Sequence, residues 1–194
     1  LYQMIYKQQW KQRGEVKKFF LRELPLIFYR ARKEILTAFI LLTIAVSIGV
    51  VSTLNDYQFA RMFLGDNYVN MTLENIKKGD PMAVYKKANE VDMFLGITYN
   101  NVRVTILVFV AGVVFALGAA YILFTNGIMI GTFLTLCYTE GVLGDAMLTV
   151  WVHGTLEISC IVIAGGAGFL LGKGFLFPKS YSRLYSFRMH ALMG

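Results

Sequence analysis

Within the apolar run WVHGTLEISCIVIAGGAGFLLG, Trp151 to Gly172, two ionisable side chains stand four residues apart, His153 and Glu157. On a helix that spacing stacks them one turn apart on a single face, where an imidazole and a carboxylate share a proton or a hydrogen bond. A charge near the middle of a membrane span costs at least ~2.5 kcal/mol on insertion scales, so Glu157 is expected to be neutral or partnered. Such a pair either fastens helices together or relays protons along a path. Other chemistries fit less well. A zinc protease needs HExxH, two imidazoles on one face with a glutamate as base, whereas HGTLE supplies one, and the other histidine, His190, lies in a basic tail. Ser159 falls about 240° around the helix from His153, too far to be activated by it. No catalytic residue, metal site or cofactor is therefore expected, and the chain is not expected to be an enzyme.

The pair belongs to a stripe. With His153 as the zero of a helical projection, Glu157 falls at about 40°, Cys160 at about 340°, Ala164 at about 20° and Gly168 at about 60°. Val152, Leu156, Ile163 and Leu170 occupy the other side and are expected to face lipid. A small, polar face must turn into a bundle, where small residues let a neighbouring backbone come close. Ala164, Gly165, Gly168 and Gly172 are thus read as packing positions, with Gly127 and Gly131 as a second small-xxx-small pair.

The elements that would hold this face are set by composition. Of 194 residues, 56% are hydrophobic and only 16% charged, and the apolar residues come in long blocks, which marks an integral membrane protein. A net charge of +7 raises the question of nucleic acid, but Lys and Arg cluster beside the apolar blocks rather than along one exposed face, so nucleic-acid binding is excluded. Cys137 and Cys160 lack CxxC spacing. Three blocks are long enough to span, Ile35 to Leu54, Val102 to Phe124 and Ala146 to Leu171, and Gly127 to Tyr138 is a short fourth. Residues 1–34 carry Lys7, Lys11, Arg13, Lys17, Lys18, Arg22, Arg30, Arg32 and Lys33, and the tail adds Lys173, Lys179, Arg183 and Arg188. Positive flanks stay cytoplasmic, so both ends belong inside, the number of crossings is even, and the short block counts as a span, with a re-entrant loop as the alternative.

The expected fold class is all-α: a polytopic integral membrane helical bundle with about four transmembrane helices plus amphipathic interfacial helices. Residues 1–34 form a basic amphipathic segment on the inner leaflet, kinked at Pro25; 35–172 form the membrane domain; 173–194 form a basic cytoplasmic tail. The extracytoplasmic loop 55–101 is expected to carry two short helices. One starts at the Asp80-Pro81 cap and places Val84, Ala88, Val91 and Leu95 on one face; the other is capped by Asn70, with Leu73 and Ile76 inward and Gly79 as its stop. Asn70-Met71-Thr72 is read as a chance sequon.

The same residues carry a resemblance. HGTLEISCIVIAGGAGFLLG resembles the signature of the stage II sporulation protein M family. LGDNYVNMTLENIKKGDPMAVYKKANEVDMFLGITYNNVRV, with NGIMIGTF and FPKSYSRLYSF, resembles its members from bacteria that do not sporulate. Cys160 stands where alanine is more usual. The resemblance implies a multi-pass protein of the bacterial cytoplasmic membrane, in a family whose sporulation member acts beside peptidoglycan-degrading partners, and it implies no enzymatic activity. The resulting expectation is a scaffold for cell-envelope remodelling complexes that contacts membrane lipids and forms a homo-oligomer, most simply a dimer. The alternative is a transporter, channel or lipid-moving protein that uses His153 and Glu157.

Overall fold

The computed structural model describes residues 14–79, 90–112 and 116–177, without the side chains of 90–94, 97 and 149–153. Every described element is helical: α1 (Leu24–Asn55), α2 (Tyr57–Leu64), α3 (Asp66–Lys77), α4 (Glu90–Ala111), α5 (Leu117–Thr139) and α6 (Leu143–Leu176), with a π-turn at Phe19–Glu23 ahead of α1. Among the described residues three helical stretches are long and apolar enough to cross a membrane: Gly14–Asn55, Leu117–Thr139 and Gly154–Leu176.

On α1, side-chain size rather than polarity separates the buried side from the exposed one. On α1 the buried positions are Ala31, Glu34, Ala38, Leu42, Ala45, Gly49 and Thr53, mostly small, while Leu36, Phe39, Ile40, Ile44, Ile48 and Val51 are exposed. Lipid tails are as apolar as leucine, so large residues gain little by turning inward, whereas small ones let helix backbones approach and collect dispersion contacts. Hydroxyls on the exposed side satisfy themselves within the helix: Thr43 and Ser47 donate to the carbonyls of Phe39 and Thr43, each at 2.9 Å.

Contacts between helices fix their directions. Gly127 of α5 lies against Leu42 and Ala45 and Gly131 lies against Val46, so α1 and α5 run parallel. On α6, Gly165 meets Leu123, Gly168 meets Ala119 and Gly172 meets Ala116, so α5 and α6 run antiparallel. Helices α4 and α5 form a tight hairpin in which Gly118 abuts Ala111, and Ala116 takes a left-handed φ of 64°.

Several expectations are corrected. Val102 to Phe124 is not one helix: α4 ends at Ala111 and α5 begins at Leu117, and the short block Gly127 to Tyr138 is part of the 23-residue α5. Hydropathy misses this break because the residues between the two helices, GVVFA, are themselves apolar. Helix α4 runs unbroken from Glu90 to Ala111, through the expected loop boundary at Asn101. Asn70 does not cap a helix. It sits inside α3, where its carbonyl accepts from Arg61 Nη1 at 2.8 Å, and the fully buried positions there are Val69, Thr72 and Asn75. Gly79 does end that helix region with a φ of 76°. The unforeseen helix α2 starts at Asp56, whose carboxylate accepts from the Gln58 N–H at 2.9 Å. At Pro25 the helix is continuous over Gly14–Asn55, and the π-turn lies just ahead of the proline. The helix expected from Asp80-Pro81 begins outside the described residues.

Candidate functional site: the face of α6

Helix α6 has 34 residues, and its C-terminal half is the centre of the bundle. Three neighbours close on it at nearly one level. A Cβ added at Gly165 would stand 2.5 Å from Leu123 Cδ1 of α5, and one at Gly166 would stand 2.6 Å from Ile35 Cγ1 of α1. Gly168 lies directly against Gly112 at the end of α4, and a Cβ on it would also be 3.0 Å from the Val108 carbonyl. At Gly172 any side chain would strike the backbone of Ala116. Run together as GGAGFLLG, these residues form a segment on which α1, α4 and α5 all close. Ala164 is buried beside them, 7% exposed, within the cluster of Ala38, Leu42, Val108, Ala119, Leu123, Ile161 and Val162.

The buried side is turned relative to the projected stripe. Before Val162 it passes through Gly154 and Ile161, each one residue beyond His153 and Cys160, which rotates it by roughly 100°. Cys160 is exposed, Glu157 is half-buried at the margin, and Leu156 is 73% exposed. Beyond Val162 nearly the whole circumference is covered, so Leu170 is buried rather than lipid-facing. Glycines attract neighbours more strongly than a polar stripe does, because backbone approach yields contact along the whole helix. Following the α5–α6 register upward places Glu157 at the depth of Gly131 and Thr132. Thr132 is fully buried, and its hydroxyl is without a hydrogen-bond partner there. His153 lies one turn before Glu157 on α6, but its side chain falls outside the described residues, as does His190. Among the described residues no group of three His, Cys, Asp or Glu side chains is placed to hold a metal.

Two polar links hold the ends of the bundle. At one end Lys173 of α6 donates to Glu34 Oε1 of α1 at 2.5 Å, with the carboxylate side chain 11% exposed and the lysine 53% exposed. Sequence reading missed this pair, having assigned Glu34 and Lys173 to separate basic flanks; the available signal was an acid at the mouth of a span with a lone lysine after GGAGFLLG. At the other end the Tyr57 hydroxyl donates to Glu140 Oε1 at 3.4 Å, and Arg61 binds Asp66 at 3.0 Å. Burial, and after it the Glu140 carboxylate, push the Tyr57 phenol above its usual 10.0 despite the opposing charge of Arg61.

Helices long and apolar enough to cross a membrane, with many large apolar residues exposed, mark a helical membrane protein. The chain belongs to the stage II sporulation protein M family, whose model matches residues 36–193. No curated protein and no solved structure matches it.

Proposed function

We propose that this protein is a multi-pass scaffold of the bacterial cytoplasmic membrane that gathers partners for cell-envelope, peptidoglycan-remodelling work. In this reading α4 is the fourth crossing, both ends of the membrane domain face the cytoplasm, and α2 with α3 lie on the outer side. The protein acts by holding partners in place, as a homo-oligomer, rather than by chemistry of its own. The carrying observation is the closeness of the helix seams: at Gly131 against α1, at Gly112 of α4 against Gly168 of α6, and at Gly172 against Ala116 ahead of α5, backbones meet without room for a Cβ. Seams of that kind make a stiff frame and leave no passage along their length.

Glu157 distinguishes this from the transport alternative. As a fastener it needs size and hydrogen-bonding capacity but no titration. Glu157→Gln should then assemble and support a normal envelope, while Glu157→Leu loses about 1 to 2 kcal/mol of helix association. A proton path predicts the contrary: Glu157→Gln would assemble normally but be inactive, and His153→Ala would fail in the same assay. Oligomer stability in detergent, measured beside a cell-envelope phenotype, separates the two; an inactive but well-assembled Gln variant would remove the scaffold reading.

A further inference from the structure

The helix that contains α1 is too long for the membrane it crosses. Its 42 residues extend roughly 63 Å at 1.5 Å each, against about 40–45 Å for a bilayer with its headgroups. The excess is at the N-terminal end, where the first buried residue is Ala31. Ahead of it the helix presents large apolar side chains without cover: Val16, Phe19, Phe20 at 59% exposure and Leu21 at 69%. Basic residues alternate with them. Residues 1–33 carry nine Lys and Arg against two acids, Glu15 and Glu23, and Glu23 is already paired with Lys18 at 3.2 Å. Arg32 stacks over the Tyr29 ring at 4.0 Å, which places a guanidinium on an aromatic face just before the span begins.

The helix is also weakest at that place. The π-turn Phe19–Glu23, in which the Leu24 N–H reaches back five residues to the Phe19 carbonyl, adjoins Pro25, which has no N–H to donate. Bends in helices concentrate at such sites.

We propose that residues 14–33 form an arm that docks on an anionic phospholipid surface. The π-turn and Pro25 act as its pivot. Val16, Phe19, Phe20 and Leu21 enter the boundary between headgroups and acyl chains, and Lys17, Arg22, Arg30 and Lys33 meet the phosphates. Charge complementarity selects this occupant: a strongly basic segment joined to a span by a few residues cannot leave the membrane surface, and an anionic leaflet attracts each of its cations. The inference rests on the reading that α1 crosses the bilayer and is independent of the scaffold role.

The test uses the full chain with Cys137→Ala and Cys160→Ser, labelled with an environment-sensitive fluorophore at Leu21→Cys or, as a control, Ile44→Cys. Each protein is reconstituted in phosphatidylcholine vesicles with and without phosphatidylglycerol. Lipid spin-labelled at the headgroup boundary serves as quencher. The Leu21 label should shift to the blue and lose most of its emission to the quencher only when phosphatidylglycerol is present. High salt, or the combined changes Lys17→Gln, Arg22→Gln, Arg30→Gln and Lys33→Gln, should reverse both effects. A Leu21 label that stays in water in both membranes overturns the proposal. So does a label that is blue-shifted in both membranes yet out of the quencher's reach in both, which would mean that protein, from this chain or a second copy, covers the arm. The Ile44 label reports the span itself: if it too is in water, the failure belongs to the reading of α1 and not to the arm.

Discussion

Glu34 and Lys173 are a pair in which one partner is buried and the other half in water, and this asymmetry decides what mutation does. Removing Lys173 leaves a carboxylate 11% exposed with its counter-charge gone, whereas removing Glu34 leaves a lysine that simply turns to solvent. Lys173→Met should therefore destabilise the bundle more than Glu34→Gln. A loss on the order of 1–2 kcal/mol is expected, below the 3–5 of a fully buried pair because Lys173 is well hydrated. Thermal unfolding in detergent checks the order of the two variants; equal losses would show that the buried carboxylate finds another partner. Tyr57 permits a pH prediction at the opposite end. Its folded pKa is raised, so the neutral phenol is the favoured form, and the contribution to stability is present below pH 10 and lost as pH rises through the raised value. The stability of the parent relative to Tyr57→Phe should hold steady below about pH 10 and fall as the pH rises above it, with the phenolate absorbance reporting the titration.

Among the helices, the α1–α5 seam and the centre of α6 carry the packing, and their tolerance of a side chain differs sharply from that of other glycines. A leucine at Gly131 would strike the Val46 backbone, which cannot move without displacing α1. Gly131→Leu is expected to cost about 1–3 kcal/mol or to prevent folding outright. Gly144, near the start of α6, has nothing within 4 Å of an added Cβ, and Gly144→Ala should be neutral or stabilising by up to about 1 kcal/mol from helix propensity. Parallel melts of the two variants are the check: comparable losses at both sites would mean that the α1–α5 contact is looser than described. The same packing explains why the α6 projection was half legible. Its small residues could be picked out by type, but their angular centre depends on which neighbour comes closest to each, and Gly112 and Ile35 are far away in the chain.

For the molecule as a whole, the proposed arrangement makes a prediction about sides. Cysteines introduced at Lys18 and Lys78, in a background without Cys137 and Cys160, should react with a membrane-impermeant reagent from opposite faces of intact cells, Lys78 from outside. Reaction of both from one face would remove the orientation and the fourth crossing with it. Native mass measurement from lipid particles should find a dimer or larger assembly, and a monomer would overturn the proposed self-association.

Membrane character, helical class and family were all readable from the chain, because each is a property of local composition or of residues in linear order: long apolar blocks, few charges, and HGTLEISCIVIAGGAGFLLG as a contiguous run. The tertiary structure decided what local order does not encode. It placed the α4–α5 turn inside an apolar block, turned the buried side of α6 through Gly154 and Ile161 rather than Glu157 and Cys160, and joined Glu34 to Lys173. In a soluble protein the contrast between water and core would have marked those faces in the sequence. Here lipid and bundle interior are equally apolar, so only the meeting of backbones at glycine and alanine tells inside from outside.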